Sequence, residues 1–301
     1  MSNNNKWTAE QMPDLKGRIA VVTGANSGLG FEVARALAGK GAEVIMACRS
    51  QERGEQAARD IRENVPGAQL SHWSLDLADL FSVRAFAAGF RDKYSKLDLL
   101  FNNAGIMAVP YGKTKDGFES QIGTNHFGHF VLTGLLLDLM RDTPHSRVIT
   151  TSSYAHHIGR INFADLNRER FYQKWLAYGQ SKLANVLFGY ELNRRLSQNG
   201  GNPISVVAHP GYAATNLQHT TRLFSLLNPL MAQSQEMGSL PLLYAGTHED
   251  IKGGEYIGPD GFLAQRGYPK RARSSRRSYD RELAARLWDV SEQQTGMRYE
   301  F

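Results

Sequence analysis

The stretch Ile19-Ala-Val-Val-Thr23-Gly-Ala-Asn-Ser-Gly-Leu-Gly30 decides the fold. An apolar run of strand length enters a turn rich in glycine, and a helical pattern follows from Leu29 to Ala38. Gly24, Gly28 and Gly30 let the backbone turn tightly and approach a pyrophosphate, whose charge then rests at the helix N-terminus. Asn26, Ser27 and Leu29 complete the candidate binding turn. Its spacing is G-x-x-x-G-x-G, not the usual G-x-G-x-x-G, and a glycine turn between strand and helix also serves structure alone.

Outward from this turn, β-rich runs alternate with helical patterns. Strands are expected at Ile19 to Thr23, Glu43 to Ala47, Leu70 to Leu75, Leu97 to Asn102, Val148 to Ser152 and Ile204 to Ala208, with a short seventh at Tyr256-Ile257. Helices are expected near Leu29 to Ala38, Gln51 to Asn64, Leu80 to Tyr94, Phe118 to Met140 and Leu176 to Leu196. Repeated βαβ units predict an α/β fold with a doubly wound parallel sheet covered by helices on both faces. No internal repeat or low-complexity linker divides the chain. We therefore expect an N-terminal extension over 1–15 and a single domain over 16–301, with irregular substrate loops at 155–175 and 217–252. Loops at the carboxyl ends of parallel strands are where such sheets bind ligands.

A chain of 301 residues, 42% apolar and 21% charged, is an ordinary globule large enough for a substantial core. Its polar start, Met1-Ser-Asn-Asn-Asn-Lys-Trp-Thr-Ala-Glu, and the lack of an apolar run of about 18–20 residues set the expectation of a cytoplasmic protein without a membrane span. The single cysteine, Cys48, excludes an intrachain disulfide and a cysteine-rich metal site. The net charge of +6 is mostly local, in Lys270, Arg271, Arg273, Arg276 and Arg277. Aromatics are not interleaved with these charges as nucleic-acid stacking requires, so a solvated loop is expected and no nucleic-acid partner.

Three further strand ends fit a nucleotide site. Cys48-Arg49 follows the second strand, where an NAD-type site places a carboxylate against the ribose 2′-hydroxyl. The missing acid, together with an arginine able to attract a 2′-phosphate, points to NADP(H). The bland account of Arg49 is a solvated loop charge. Asp76-Leu77 after the third strand is placed to meet an adenine, and Asn103-Ala-Gly105 after the fourth to lie beside a ribose, although Asn-Asn-Ala-Gly is also a common turn.

Tyr178-Gly-Gln-Ser-Lys182 puts a phenol and an ammonium at i and i+4, on one helix face. A lysine roughly 4–5 Å from the phenol favours the phenolate by about 3–4 kcal/mol at an effective dielectric of 20. From a reference pKa of about 10, this predicts a tyrosine able to exchange protons near neutrality. The spacing is common by chance, and context decides.

With Thr23 to Gly30, Asn102 to Gly105, Tyr178-x-x-x-Lys182 and Pro210-Gly211 in this order, the chain resembles the short-chain dehydrogenase/reductase family over roughly residues 16 to 262. Ala47-Cys-Arg49, Asn125-His-Phe-Gly-His129, Ser152-Ser-Tyr-Ala-His-His157, Ser181 to Asn185 and His209-Pro-Gly211 look most like the group with retinol dehydrogenases, the oxidoreductase domain of WW-domain proteins and light-dependent protochlorophyllide reductase. The resemblance implies a Rossmann-type fold and NADP(H). It also implies that Tyr178 is the general acid/base and that Lys182 lowers its pKa and holds the nicotinamide ribose. Ser153 would bond the substrate oxygen, and Asn125 would help hold Lys182 and a relay water. Pro210, Gly211 and Thr215 would flank the nicotinamide. Ser152 rivals Ser153, but alternating strand residues face opposite ways. Ser153 is preferred because its separation from Tyr178 suits the retinol-dehydrogenase pattern.

That separation is 25 residues, so His156 to Trp175 is expected to form a wall beside the substrate. His126 and His129 have no convergent carboxylate or cysteine, and no metal is expected. Leu226, Leu227, Leu230, Met231 and Met237 suit a lipophilic entrance or a core helix equally. The expected activity is interconversion of a lipophilic alcohol with its aldehyde or ketone. Reduction of a carbon–carbon double bond is an alternative, as is a silent cofactor-binding regulator; a homo-oligomer is open.

Overall fold

A computed structural model describes residues 6–200, 202–212 and 233–301. One eight-stranded sheet runs in the order β3-β2-β1-β4-β5-β6-β7-β8. The strands are β1 (Ile19–Thr23), β2 (Glu43–Cys48), β3 (Gln69–Ser74), β4 (Leu99–Asn102), β5 (Arg147–Thr151), β6 (Ile204–Ala208), β7 (Tyr256–Pro259) and β8 (Pro269–Arg271). All pair in parallel except β8, which returns antiparallel to β7. The order reverses between β1 and β4, a topological switch point where open sheets of this kind leave a crevice.

Alternation along the central strands sends side chains into two cores. Val21, Ile45, Leu100 and Val148 join α3 (Leu80–Lys93), α5 (Gly128–Leu136), α7 (Lys174–Asn199) and α9 (Arg281–Thr295) on one face. Ala20, Val22, Met46, Phe101 and Ile149 join α1 (Gly28–Gly39), α2 (Gln51–Asn64) and α8 (Gln235–Thr247) on the other. The doubly wound sheet expected from the sequence is therefore present.

Four differences matter. The 1–15 segment is no free extension where described, because Trp7, Met12 and Leu15 are buried in the second core, Trp7 edge-on to Tyr244 at 5.2 Å. The helix expected over 118–140 is divided into α4 (Ser120–Ile122), a π-helical turn (Gly123–Phe127), α5 and α6 (Asp138–Arg141). Of the segment 217–252, residues up to 232 lie outside the described ones, among them Leu226, Leu227, Leu230 and Met231. The rest is mostly α8, a core helix against which Met237 packs. The short strand β8 carries only Pro269 and two exposed basic residues, so no apolar alternation announced it. Among the described residues, no helix is long and apolar enough to cross a membrane.

Candidate active site

A cleft of about 600 Å³ opens at the carboxyl ends of the strands, beside the switch point. Gly24, Asn26, Ser27, Gly28, Leu29, Gly30, Arg49, Asp76, Leu77, Asn103, Ala104, Gly105, Tyr178, Lys182, Pro210 and Gly211 all line it, as does Ser153. Thr215 lies outside the described residues. Asn125 sits one layer behind the wall.

The glycine turn works by steric necessity. Gly28 has φ +61°, in the left-handed region. A Cβ on Gly30 would come within 2.3 Å of the Gly24 carbonyl oxygen. The N-terminus of α1 is unlike those of the other long helices: Ser27 makes no side-chain cap bond, whereas Ser50, Asp79, Gln173, Ser234 and Asp280 each cap their helix. The first-turn amides of α1 are thus left to another acceptor, which fits an anionic group at the cleft. Thr23 fixes the opposite rim, its hydroxyl oxygen accepting the Asn103 and Ala104 amides, each at 2.9 Å. Beyond β2, Arg49 and Arg53 both line the cleft. Arg53 was missed; it stands in the first turn of α2, four residues after Arg49.

The other end of the cleft is built largely from buried side chains. Tyr178 and Lys182 are 6% and 4% exposed. The Lys182 Nζ lies 5.8 Å from the phenol ring centroid and donates to the Thr151 carbonyl at 3.2 Å. Burial pushes the Tyr178 phenol up to about 12, while a hydrogen bond with Ser153 pulls it the other way. Burial pushes the Lys182 ammonium down to about 8. The lowering of the phenol expected from the lysine is not seen: burial disfavours the phenolate, and the group that pulls the other way is Ser153. Both groups remain protonated at pH 7.

The two serines have different partners. Ser152 Oγ donates to the Lys182 carbonyl at 2.9 Å, whereas the Ser153 hydroxyl meets Tyr178. Alternation continues past the end of β5 because Ser153 is still extended, at φ −151° and ψ 158°. Asn125 occupies the π-helical turn, which Glu119 supports from below by capping α4 through the Gln121 and Ile122 amides. Its Oδ1 accepts the Ile106 amide at 2.8 Å, and its Nδ2 donates to the Ile106 carbonyl and the Ser181 hydroxyl, both at 2.9 Å. Asn125 Oδ1 and Lys182 Nζ both lie against Gly105, where a Cβ would meet them at 3.0 and 3.5 Å.

The wall expected over His156 to Trp175 is formed by the ends of that segment and its approach. Tyr154, Ala155, Ile158 and Trp175 line the cleft, with Trp175 edge-on to Tyr178 at 6.2 Å, while His156 and His157 do not reach it. Ile106 and Met107 extend the apolar lining, and Gln265 enters from the β7–β8 connection; none had a local sequence signal. His129 lies between the Thr23 hydroxyl and the Asn125 carbonyl, at 2.9 and 3.0 Å, and His126 contacts Ser291 Oγ at 2.8 Å. No cluster fit to hold a metal occurs among the described residues. Cys48 stands at the nucleotide end, its thiol pushed up to about 11 by burial, where it cannot protonate a substrate beside Tyr178.

A glycine turn feeding a helix without a side-chain cap shares one cleft with Ser153, Tyr178 and Lys182. The family model of the short chain dehydrogenases matches residues 18–224, and the chain belongs to that family. It is similar to retinol dehydrogenase 12 of Homo sapiens, with 42% identity over 95% of this chain and 89% of the relative. Retinol dehydrogenase 11 of Mus musculus is 43% identical over 92% of this chain and 86% of the relative. Among solved structures, an uncharacterized protein from Mycobacterium Paratuberculosis superposes with a TM-score of 0.84 and 46% identity, covering 98% of this chain and all of that one.

Proposed function

We propose that this oxidoreductase uses NADP(H) to interconvert a lipophilic alcohol with its aldehyde or ketone, with Tyr178 as general acid/base. The observation that carries this is the joining of two chemistries in one cleft: uncapped amides and two arginines at one end, Ser153, Tyr178 and Lys182 at the other. Gly24 to Gly30 would hold the pyrophosphate, and Arg49 and Arg53 the 2′-phosphate. Asp76 and Leu77 would meet the adenine, Asn103 to Gly105 a ribose, and Pro210, Gly211 and Thr215 the nicotinamide. Bound there, the cofactor supplies or accepts the hydride.

The side chains do the rest. Ser153 and Tyr178 polarise the substrate oxygen through their hydroxyls, and Tyr178 delivers its proton to that oxygen during reduction. A phenol raised to about 12 is loaded with that proton at neutral pH, the state carbonyl reduction consumes. Lys182 contributes positive charge beside the ring and a donor to the ribose. Support for a lipophilic substrate comes from the apolar lining of Ile106, Met107, Ile158 and Trp175, and from relatives named for retinol, an apolar alcohol.

The test is to titrate the purified protein with NADPH and NADH and then assay NADPH oxidation with decanal. Tighter NADPH binding and turnover are expected. Equal or tighter NADH binding would remove the cofactor assignment, and no turnover across aldehydes and ketones would remove the activity.

A further inference from the structure

Three histidines that the cleft does not use gather around Tyr256 of β7. The rings of His156 and His209 each lie 5.5 Å from the tyrosine ring, and His157 lies 4.1 Å from His156. His156 and His209 are almost fully buried. Each accepts a backbone amide: Ser275 N–H donates to His156 Nε2 at 2.9 Å, and Gly211 N–H to His209 Nδ1 at 3.2 Å. A ring nitrogen that accepts a hydrogen bond carries no proton, so these contacts fix both tautomers. In His156 the proton must sit on Nδ1. That nitrogen is 2.6 Å from the Ser153 carbonyl oxygen, to which it donates.

We infer that His156 is a positioning residue for the catalytic serine: its Nδ1–H grips the Ser153 carbonyl while its Nε2 anchors to the Ser275 amide. This rests on the assignment of Ser153 proposed above. The Ser153 carbonyl also accepts the His156 amide at 3.0 Å, and the Ser153 Oγ accepts the Ala155 amide at 3.3 Å. The serine is thus held by main chain and imidazole together, with its hydroxyl left facing Tyr178. Burial pushes His156 down to about 4, in keeping with the neutral ring that the Ser275 contact demands.

The arginine-rich segment 270–277 acquires a role from the same contacts. Arg277 Nη1 donates to the Gly159 carbonyl at 3.2 Å, Ser274 Oγ bonds the Tyr190 hydroxyl at 2.7 Å, and Arg271 pairs with Glu255 at 2.6 Å. The segment straps the turn that carries Ser153 to the end of the sheet. Its far contact reaches the catalytic serine through one imidazole.

Two substitutions separate gripping from mere filling of space. His156→Asn keeps a donor near the Nδ1 position and loses the acceptor, whereas His156→Gln keeps an acceptor near Nε2 and loses the donor. Since small misplacement of a reacting group carries large rate costs, His156→Gln should lower kcat for decanal by roughly 10–10²-fold. His156→Asn should recover most of the loss, and both should bind NADPH within about twofold of the parent, as expected where only a transition-state contact is disturbed. Equal kcat in the two variants, or a loss confined to NADPH affinity, overturns the inference. A readout independent of turnover is the ¹⁵N imidazole spectrum of the parent at pH 7. A neutral Nδ1–H tautomer for His156 is expected, and an Nε2–H or doubly protonated ring overturns the inference whether or not any carbonyl substrate is found.

Discussion

In the function proposed above, the two ends of the cleft would serve binding and chemistry by opposite means. At the nucleotide end, backbone does the work: left-handed glycines, an uncapped helix start and strand-end amides, with Arg49 and Arg53 adding charge. At the end that holds Tyr178, almost every group is a buried side chain whose properties depend on residues far away in sequence, Ser153 and Asn125 both meeting α7. Buried side chains gain chemical leverage from desolvation, and at Tyr178 and Lys182 that desolvation dominates both pKa shifts.

The largest effect that sharpens this contrast is expected at Lys182. Its folded pKa of about 8 lies below the ordinary 10.5. The folded state therefore binds fewer protons than the unfolded state between those values, and stability rises with pH across that window. Below pH 8 the full cost of the buried charge remains. Lys182→Met at pH 7 should stabilise the protein by about 2–3 kcal/mol while lowering turnover by roughly 10²–10⁴. Urea unfolding beside a kcat measurement checks it, and a destabilised variant would show that the ammonium is better solvated than its burial implies.

At the nucleotide end the effects should be smaller and confined to binding. Arg49→Ala should weaken NADPH by about 1.5–3 kcal/mol with little change for NADH, from loss of a charge-assisted contact to phosphate. Calorimetric titration of both cofactors distinguishes this from general damage, which would weaken both alike. Smallest for a single change is the effect of one methylene in the substrate. Each added methylene from butanal to decanal should improve binding in the transition state by up to about 0.8 kcal/mol against an apolar wall. A flat or falling kcat/KM across that series would mean that Ile106, Met107, Ile158 and Trp175 do not touch the chain.

How far the sequence was legible follows the same division. The strands, the glycine turn and the residues around it could be read because their signals are local: apolar runs, glycines, and a polar residue at a strand end. Tyr178 and Lys182 could be paired because i and i+4 are neighbours on any helix. The π-helical turn at Asn125 could not be seen, since it arises where Glu119 caps one short helix and α5 begins another. Burial was equally invisible, so the lysine was credited with lowering a phenol that its surroundings raise. His156 looked like part of a substrate wall because its anchor, Ser275, is 119 residues away. Trp7 looked like part of a tail because α8, which it covers, is formed at the other end of the chain.

The claim on which all of this turns is that Tyr178 moves the proton. The measurement is a single-turnover reduction of decanal by Tyr178→Phe loaded with saturating NADPH, followed by loss of absorbance of the reduced nicotinamide, beside a titration of NADPH binding. Unchanged affinity with a rate lower by roughly 10²–10⁴ is the predicted result, that being the usual weight of general acid catalysis. A rate close to that of the parent would contradict the account and place the proton donor elsewhere in the cleft.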